Sequence, residues 1–369
     1  MASLAERLMK NSVVKGTTFL GKAKFYTETT TAPTDVPMIN VALSGNMDEG
    51  IGGGVGQIAG PSKHFKTLFG LILVKAFLDK NPDGICLLYN NEFGSPKAYF
   101  EALDIDVSRV VEVLFTDIEI LKQDVIAQLD NITNKDKVII LIDSLGMVAS
   151  RKELDDVREE KVVGDMTRAK QLKAFFRIVT PYVKVKNIPL VAINHTYKTQ
   201  EMYSKTVVGG GTGGIYAADW IWVIGKEQET ANVQVGGKKV KTRVGSNFII
   251  NIEKSRFVKE GAKIPVKVLL NGGLSKWSGL WDLAVREGYI VSPVKGWFTT
   301  VNRETGEASE NFRRNDVENS SDFWNKLFST TDFKAHVKEL FTLGMGKLLS
   351  SDLVEADEDE EDEDSDFAY

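Results

Sequence analysis

Val55-Gly56-Gln57-Ile58-Ala59 runs directly into Gly60-Pro61-Ser62-Lys63-His64-Phe65-Lys66-Thr67, and the chain continues in the apolar stretch Leu68 to Leu78. A short strand-like run, a turn closing on Lys-Thr and an apolar helix form the order that a phosphate-binding loop requires. In that order, backbone N–H groups at the helix start cradle phosphates. The Lys66 ammonium reaches the β- and γ-oxygens, and the Thr67 hydroxyl ligates Mg²⁺. One position departs from the pattern. Phe65 stands where the second glycine is expected, and its Cβ makes a positive φ cost about 1–3 kcal/mol. Two outcomes stay open from the residues alone: a loop with negative φ at Phe65, or a turn that merely precedes a buried helix.

Outward from this loop, short β-branched runs alternate with longer amphipathic stretches from Phe65 to Ala192, which is the βαβ signature. Strands are predicted at Ile85–Tyr89, Val110–Phe115, Val138–Ile142 and Pro189–Ile193, the third buried on both faces because it lacks alternation. Ile118, Leu121, Val125, Ile126 and Leu129 recur at helical spacing, as do Met166, Ala169, Leu172, Phe175 and Phe176. After Asp219 the runs Trp220–Ile224, Phe248–Ile252 and Ile264–Leu270 follow without long helices between them, which predicts an antiparallel extension of the sheet. The expected fold is α/β, with a mostly parallel central sheet and antiparallel strands added at one side. The division expected is an N-terminal helix and arm over 1–45, the core over 46–279, a small C-terminal domain over 280–352 and an acidic tail over 353–369.

Composition narrows the class further. The 369 residues are 43% hydrophobic and 26% charged, enough for a sizeable core. Cys86 is the only cysteine, which excludes an intramolecular disulfide or a cysteine zinc cage and points to a reducing cytoplasm. The apolar run from Leu68 is broken at Lys75, too short for a membrane span, and Met1 to Gly16 lacks a signal-peptide core. The net charge of −5 is uneven: residues 355–366 hold ten carboxylates, and without them 46 Lys and Arg face 41 acids, or +5. A basic body with an acidic tail suits polyanion binding tempered by a mimic of the polyanion; the plainer alternative is a solubilising tail.

Three further elements gather chemistry at the sheet edge. Asp143 ends the run Val138–Ile142, where the second shell of a phosphate-bound Mg²⁺ sits; alone, such an Asp is also a common helix cap. Glu92 follows the strand ending at Tyr89 and is placed to position or deprotonate an attacking water, against the alternative of a solvated loop acid. Asn194-His195 ends another strand, and His195 there would sense the γ-phosphate and pass its presence into the next segment, unless it is only packed or capping. That segment, Thr196 to Gly214, reads as a long irregular loop. It carries Lys198, Met202, Tyr203 and Lys205, then Gly209, Gly210, Gly211, Thr212, Gly213 and Gly214. Cations for phosphates, with aromatic and thioether groups for base faces, suit single-stranded nucleic acid; a plain surface loop is the alternative.

These residues carry a resemblance. Gly60–Thr67, Tyr89-Asn-Asn-Glu-Phe-Gly94, Leu141-Ile-Asp-Ser-Leu-Gly146, Asp165-Met-Thr-Arg-Ala-Lys170, Ile193-Asn-His-Thr196, Gly209-Gly-Gly-Thr-Gly213 and Glu253-Lys-Ser-Arg256 occur in order. Over residues 38–282 the sequence resembles the RecA-type recombinases, most closely those of T-even-like bacteriophages. Phe65 and His195 depart from bacterial RecA and fit the phage branch. The resemblance implies a RecA-like core, ATP and Mg²⁺ as cofactors, and assembly on single-stranded DNA into a helical filament. It also implies pairing with double-stranded DNA and strand exchange in recombination, repair and recombination-dependent replication. Gly60 to Thr67 and Asp143 would bind nucleotide and metal, Glu92 would position water, and Tyr99 would stack on adenine unless it is a core aromatic of the next helix. Lys254 and Arg256 match the basic pair that reaches the neighbouring subunit's γ-phosphate; as residues alone they read as surface charges. The arm with Phe25 and Tyr26 would add a strand to the adjacent protomer. A recombination mediator and a single-strand-binding protein are further implied partners, in the cytoplasm of a bacterial host. A RecA-core ring helicase and a non-catalytic ATP-gated mediator are the competing functions.

Overall fold

The computed structural model describes residues 3–14, 17–22, 30–94, 96–160, 167–199, 206–235, 238–270, 273–303 and 305–343. Phe25, Tyr26, Asp165, Met166, Met202, Tyr203, Lys205 and the acidic tail lie outside the described residues.

Unbroken apolar runs become strands buried on both faces. Gly54–Gly60 (β1) and Val138–Asp143 (β4) are buried at every position, as expected where helices cover both sides of a parallel sheet. With Ile85–Asn90 (β2), Val110–Leu114 (β3), Pro189–Lys198 (β5), Trp220–Val235 (β7), Lys238–Ser255 (β8), Lys263–Leu269 (β9) and Gly273–Leu274 (β10) they form one sheet. Its order is β10-β9-β8-β7-β1-β5-β4-β2-β3, and the short strand Thr206–Val208 (β6) pairs with β5 alone. The mostly parallel α/β sheet with an antiparallel side is therefore as expected, with one correction. β7 runs parallel to β1, from Gly56 opposite Trp220 to Ala59 opposite Val223, so the antiparallel extension begins at β8.

Helices cover the sheet according to their apolar stripes. On one face lie Pro37–Ser44 (α2 after Leu4–Asn11, α1) and Lys66–Lys80 (α3), apolar through its middle, contributing Met38, Ile39, Phe69, Leu71 and Leu73 to the core. After the short Lys97–Glu101 (α4), the other face is covered by Ile118–Asn131 (α5) and, beyond Arg151–Arg158 (α6), by Thr167–Val185 (α7). Leu121, Val125, Phe175 and Val179 fill that side at the predicted helical spacing. Thr212–Ala217 (α8) then leads into β7.

The remaining elements are Leu280–Arg286 (α9), the hairpin Ile290–Val294 (β11) with Trp297–Thr300 (β12), Arg314–Val317 (α10), Ser321–Thr330 (α11) and Phe333–Phe341 (α12). Trp281, Trp324 and Phe333 join the apolar cluster that continues to α2 and α3. Among the described residues no helix is long and apolar enough to cross a membrane.

Candidate active site

The parallel strands bring their C-terminal ends to one edge, where ligands of open α/β sheets bind. Register fixes which residues meet there: Gly60 lies opposite His195, and Asn90 opposite Asp143. The turn between β1 and α3 starts the site. The helix begins at Lys66, two residues earlier than the apolar run suggests, because Phe65 takes the left-handed conformation that a glycine would supply, with φ 56 and ψ 25. The expectation of a negative φ at Phe65 does not hold: φ is positive. Its ring lies 4.8 Å from that of the buried Phe248. Lys226 stands 5.6 Å from the Phe248 ring and donates to the Lys63 carbonyl at 3.1 Å. An aromatic pair contributes about 0.5–1.5 kcal/mol beyond its buried area, comparable to the cost of the left-handed backbone.

Lys66 closes the loop by donating to the Pro61 carbonyl at 2.9 Å. Burial holds its pKa below the ordinary lysine value, while Glu92 and Asp143 oppose that shift. Thr67 donates its hydroxyl to Asp143 Oδ2 at 2.8 Å, and Asp143 is itself buried at the end of β4. Hydroxyl and carboxylate oxygens suit a hard cation such as Mg²⁺, which retains waters and takes few protein ligands. Among the described residues no group of three His, Cys, Asp or Glu forms a metal cage. The Thr67 and Asp143 oxygens fit a hard cation that takes its remaining ligands from elsewhere.

Two asparagines brace the turn that carries Glu92. Asn90 accepts from Phe93 N at 2.9 Å and donates to Glu112 at 2.8 Å; Asn91 accepts from Ser144 N at 2.7 Å. Ser144 donates its hydroxyl to Glu92 Oε1, and the same oxygen lies 3.0 Å from His195 Nε2. His195 can approach because residue 146 is glycine: a Cβ there would stand 2.2 Å from the imidazole Cδ2. Arg168 clamps the loop behind it, donating to the carbonyls of Leu145, Gly146 and Val148 at 3.1, 2.7 and 2.7 Å. Asn194 donates to the Gly209 carbonyl at 2.8 Å, and Gly209 N donates to the His195 carbonyl at 2.8 Å. The sequence reading missed Ser144, Gly146, Arg168 and Asn194 as site residues; each stands inside or beside a quoted motif.

The segment after His195 differs from the expected irregular loop. Thr196–Lys198 pairs antiparallel with Thr206–Val208, giving a two-stranded ribbon that carries the exposed Tyr197 and Lys198. Gly209, Gly210 and Gly211 follow the ribbon, while Thr212 and Gly213 begin α8. Tyr99 is 54% exposed on α4 and Phe100 takes the core position, so the core-aromatic alternative fails. Lys254 and Arg256 are not free surface charges. Lys254 donates to the carbonyls of Ile215 at 2.6 Å and Tyr216 at 3.4 Å, and Arg256 Nε lies 2.8 Å from Asp219 Oδ1.

Comparison with known proteins places the chain in a family. A family model described as "Bacteriophage T4, Recombination and repair protein, C-terminal domain" matches residues 277–337. The chain is 43% identical to the "Recombination and repair protein" of Enterobacteria phage T4, over 98% of this chain and 90% of that protein. It is 22% identical to a RecA protein of Brucella anthropi, over 80% of this chain and 78% of the relative. For the RecA protein of Bartonella quintana the identity is 23%, over 80% of this chain and 81% of the relative. The chain thus belongs to the family of the phage T4 recombination and repair protein, with the RecA proteins as more distant relatives.

Proposed function

We propose that this protein is a DNA-stimulated ATPase that assembles on single-stranded DNA as a filament and carries out homologous pairing and strand exchange in recombination and repair. The observation that carries the reading is the 3.0 Å contact between Glu92 and His195. It joins the turn after β2, which carries the water-positioning carboxylate of this reading, to the base of the ribbon, so that one contact spans the nucleotide side and the DNA side.

Under this reading Gly60 to Thr67 hold the phosphates, Lys66 neutralises developing charge on the transferred group, and Thr67 with Asp143 holds the metal. The bound Mg²⁺ supplies further charge neutralisation at the phosphates. Glu92 positions the attacking water once His195 and Ser144 release part of its carboxylate. His195 connects through its carbonyl to Gly209 N and so to the ribbon. Lys198 and the glycines at 209–211 face the unpaired strand, and Tyr99 stacks on the adenine. Lys254 and Arg256 act on the nucleotide of the adjacent protomer, so the complete site exists only between subunits. Because Phe65 adopts the glycine conformation, it gives no reason to favour a non-hydrolysing scaffold.

The test is ATP turnover with and without single-stranded DNA. DNA should raise turnover at least about tenfold, a coupling of roughly 1.4 kcal/mol. Equal turnover in the two conditions would remove the DNA-stimulated reading, and none in either would remove the enzyme.

A further inference from the structure

Asp219 lies between the end of α8 and the start of β7, at the opposite side of the ribbon helix from the glycines. Its side chain is 7% exposed, and two cations share one of its oxygens: Lys184 Nζ at 2.6 Å and Arg256 Nε at 2.8 Å from Oδ1. Oδ2 accepts from Val55 N at 3.0 Å. The backbone repeats the tie, with Asp219 N donating to Val55 O at 2.7 Å and Arg256 N donating to Asp219 O at 2.9 Å. Room for the carboxylate exists because residue 54 is glycine at φ 132; a Cβ there would stand 2.3 Å from Oδ2.

The two basic residues are held differently. Asp219 grips Arg256 through Nε, which leaves the two-nitrogen fork for another partner, and 54% of the Arg256 side chain is exposed. A guanidinium anchored at Nε is oriented for bidentate contact with phosphate oxygens and has already lost much of its rotamer freedom. Lys254 instead spends its ammonium on the Ile215 and Tyr216 carbonyls at the end of α8. Lys184 has a distinct part: it keeps the buried Asp219 carboxylate paired when Arg256 moves, so such movement leaves no uncompensated buried charge.

We propose that Asp219 is a positioning residue, which presents Arg256 to the nucleotide of the adjacent protomer and ties that presentation to the helix following the DNA-facing ribbon. The inference rests on the cross-interface role given above to Arg256. Asp219→Asn should keep a working nucleotide site of its own while presenting Arg256 poorly to its neighbour. Its DNA-stimulated turnover should fall about tenfold, roughly 1.4 kcal/mol of transition-state stabilisation.

Mixing experiments with full chains separate the possibilities. Lys66→Ala protein supplies a sound Arg256 but no nucleotide site, so adding it should restore turnover to Asp219→Asn protein. Arg256→Ala protein shares the defect and should not restore it. A defect in the fold of Asp219→Asn protein would prevent both rescues. Asp219→Asn with full turnover, or without rescue by Lys66→Ala while Arg256→Ala is rescued, would overturn the proposal. If the Arg256→Ala and Lys66→Ala mixture itself stays inactive, the cross-interface reading fails and the proposal falls with it. Lys184→Ala retains the carboxylate on Arg256 and should remain a competent donor. A loss equal to that of Asp219→Asn would mark the cluster as a structural brace and likewise overturn the assignment.

Discussion

Lys66→Ala is expected to lower ATP turnover by at least about 10²–10³-fold, the usual loss when a preorganised donor to developing negative charge is removed from a closed site. The size follows from where the ammonium sits. It is 8% exposed, spans the loop to Pro61, and lies near Glu92 and Asp143, so no water-borne cation can replace it in the same geometry. Stability should change little or rise slightly. Burial lowers the Lys66 pKa, so the charged form is held at a cost in the absence of phosphates, and alanine removes that cost. Steady-state turnover together with chemical denaturation checks both halves. Large destabilisation would show that the lysine is a structural brace, and retained turnover would displace it from the phosphate site.

Phe248→Ala should have the largest effect on stability. The ring is fully buried, packs edge-on against Phe69 at 6.3 Å and supports Phe65 at 4.8 Å, so truncation should cost about 3–5 kcal/mol. A second loss follows at the nucleotide. Without the ring, nothing offsets the left-handed backbone of Phe65, the loop relaxes, and nucleotide affinity falls beyond what lost stability explains. Adding Phe65→Gly distinguishes the two effects, because glycine takes positive φ without strain. The double variant should regain nucleotide affinity but not stability, as measured by nucleotide titration and denaturant unfolding. If nucleotide binding survives Phe248→Ala alone, the aromatic pair does not hold the loop.

Much of this architecture was legible because it is local. The strand, turn and helix around Gly60 to Thr67, the strand-end positions of Asp143 and Glu92, and the helical spacing of Ile118 to Leu129 depend on neighbours within a few residues. What escaped depends on partners far along the chain. The φ of Phe65 is unreadable without Phe248, which lies on β8, seven strands later along the chain and two strands away from β1 in the sheet. The direction of β7 follows from pairing with β1, whereas the lack of long helices after Asp219 suggested an extension antiparallel throughout. The ribbon of Thr196–Lys198 and Thr206–Val208 carries a weak apolar period because it buries little, so polarity alone read it as a loop. Ser144 and Arg168 act through one hydroxyl and three carbonyl contacts, and neither residue type at its position announces such a role. The meeting of Glu92 with His195 was anticipated only as two separate candidates; the parallel register made them one unit.

That unit is the centre of the account: the nucleotide controls the grip on an unpaired strand through the Glu92–His195 contact. The most direct test is the affinity of the full chain for a labelled single-stranded oligonucleotide, measured without nucleotide, with ADP, and with a non-hydrolysable ATP analogue and Mg²⁺. The analogue should tighten binding by at least about fivefold over the nucleotide-free protein, the lower range of coupling between linked sites, and His195→Ala should remove most of that gain. Equal affinity in all three conditions would contradict the account.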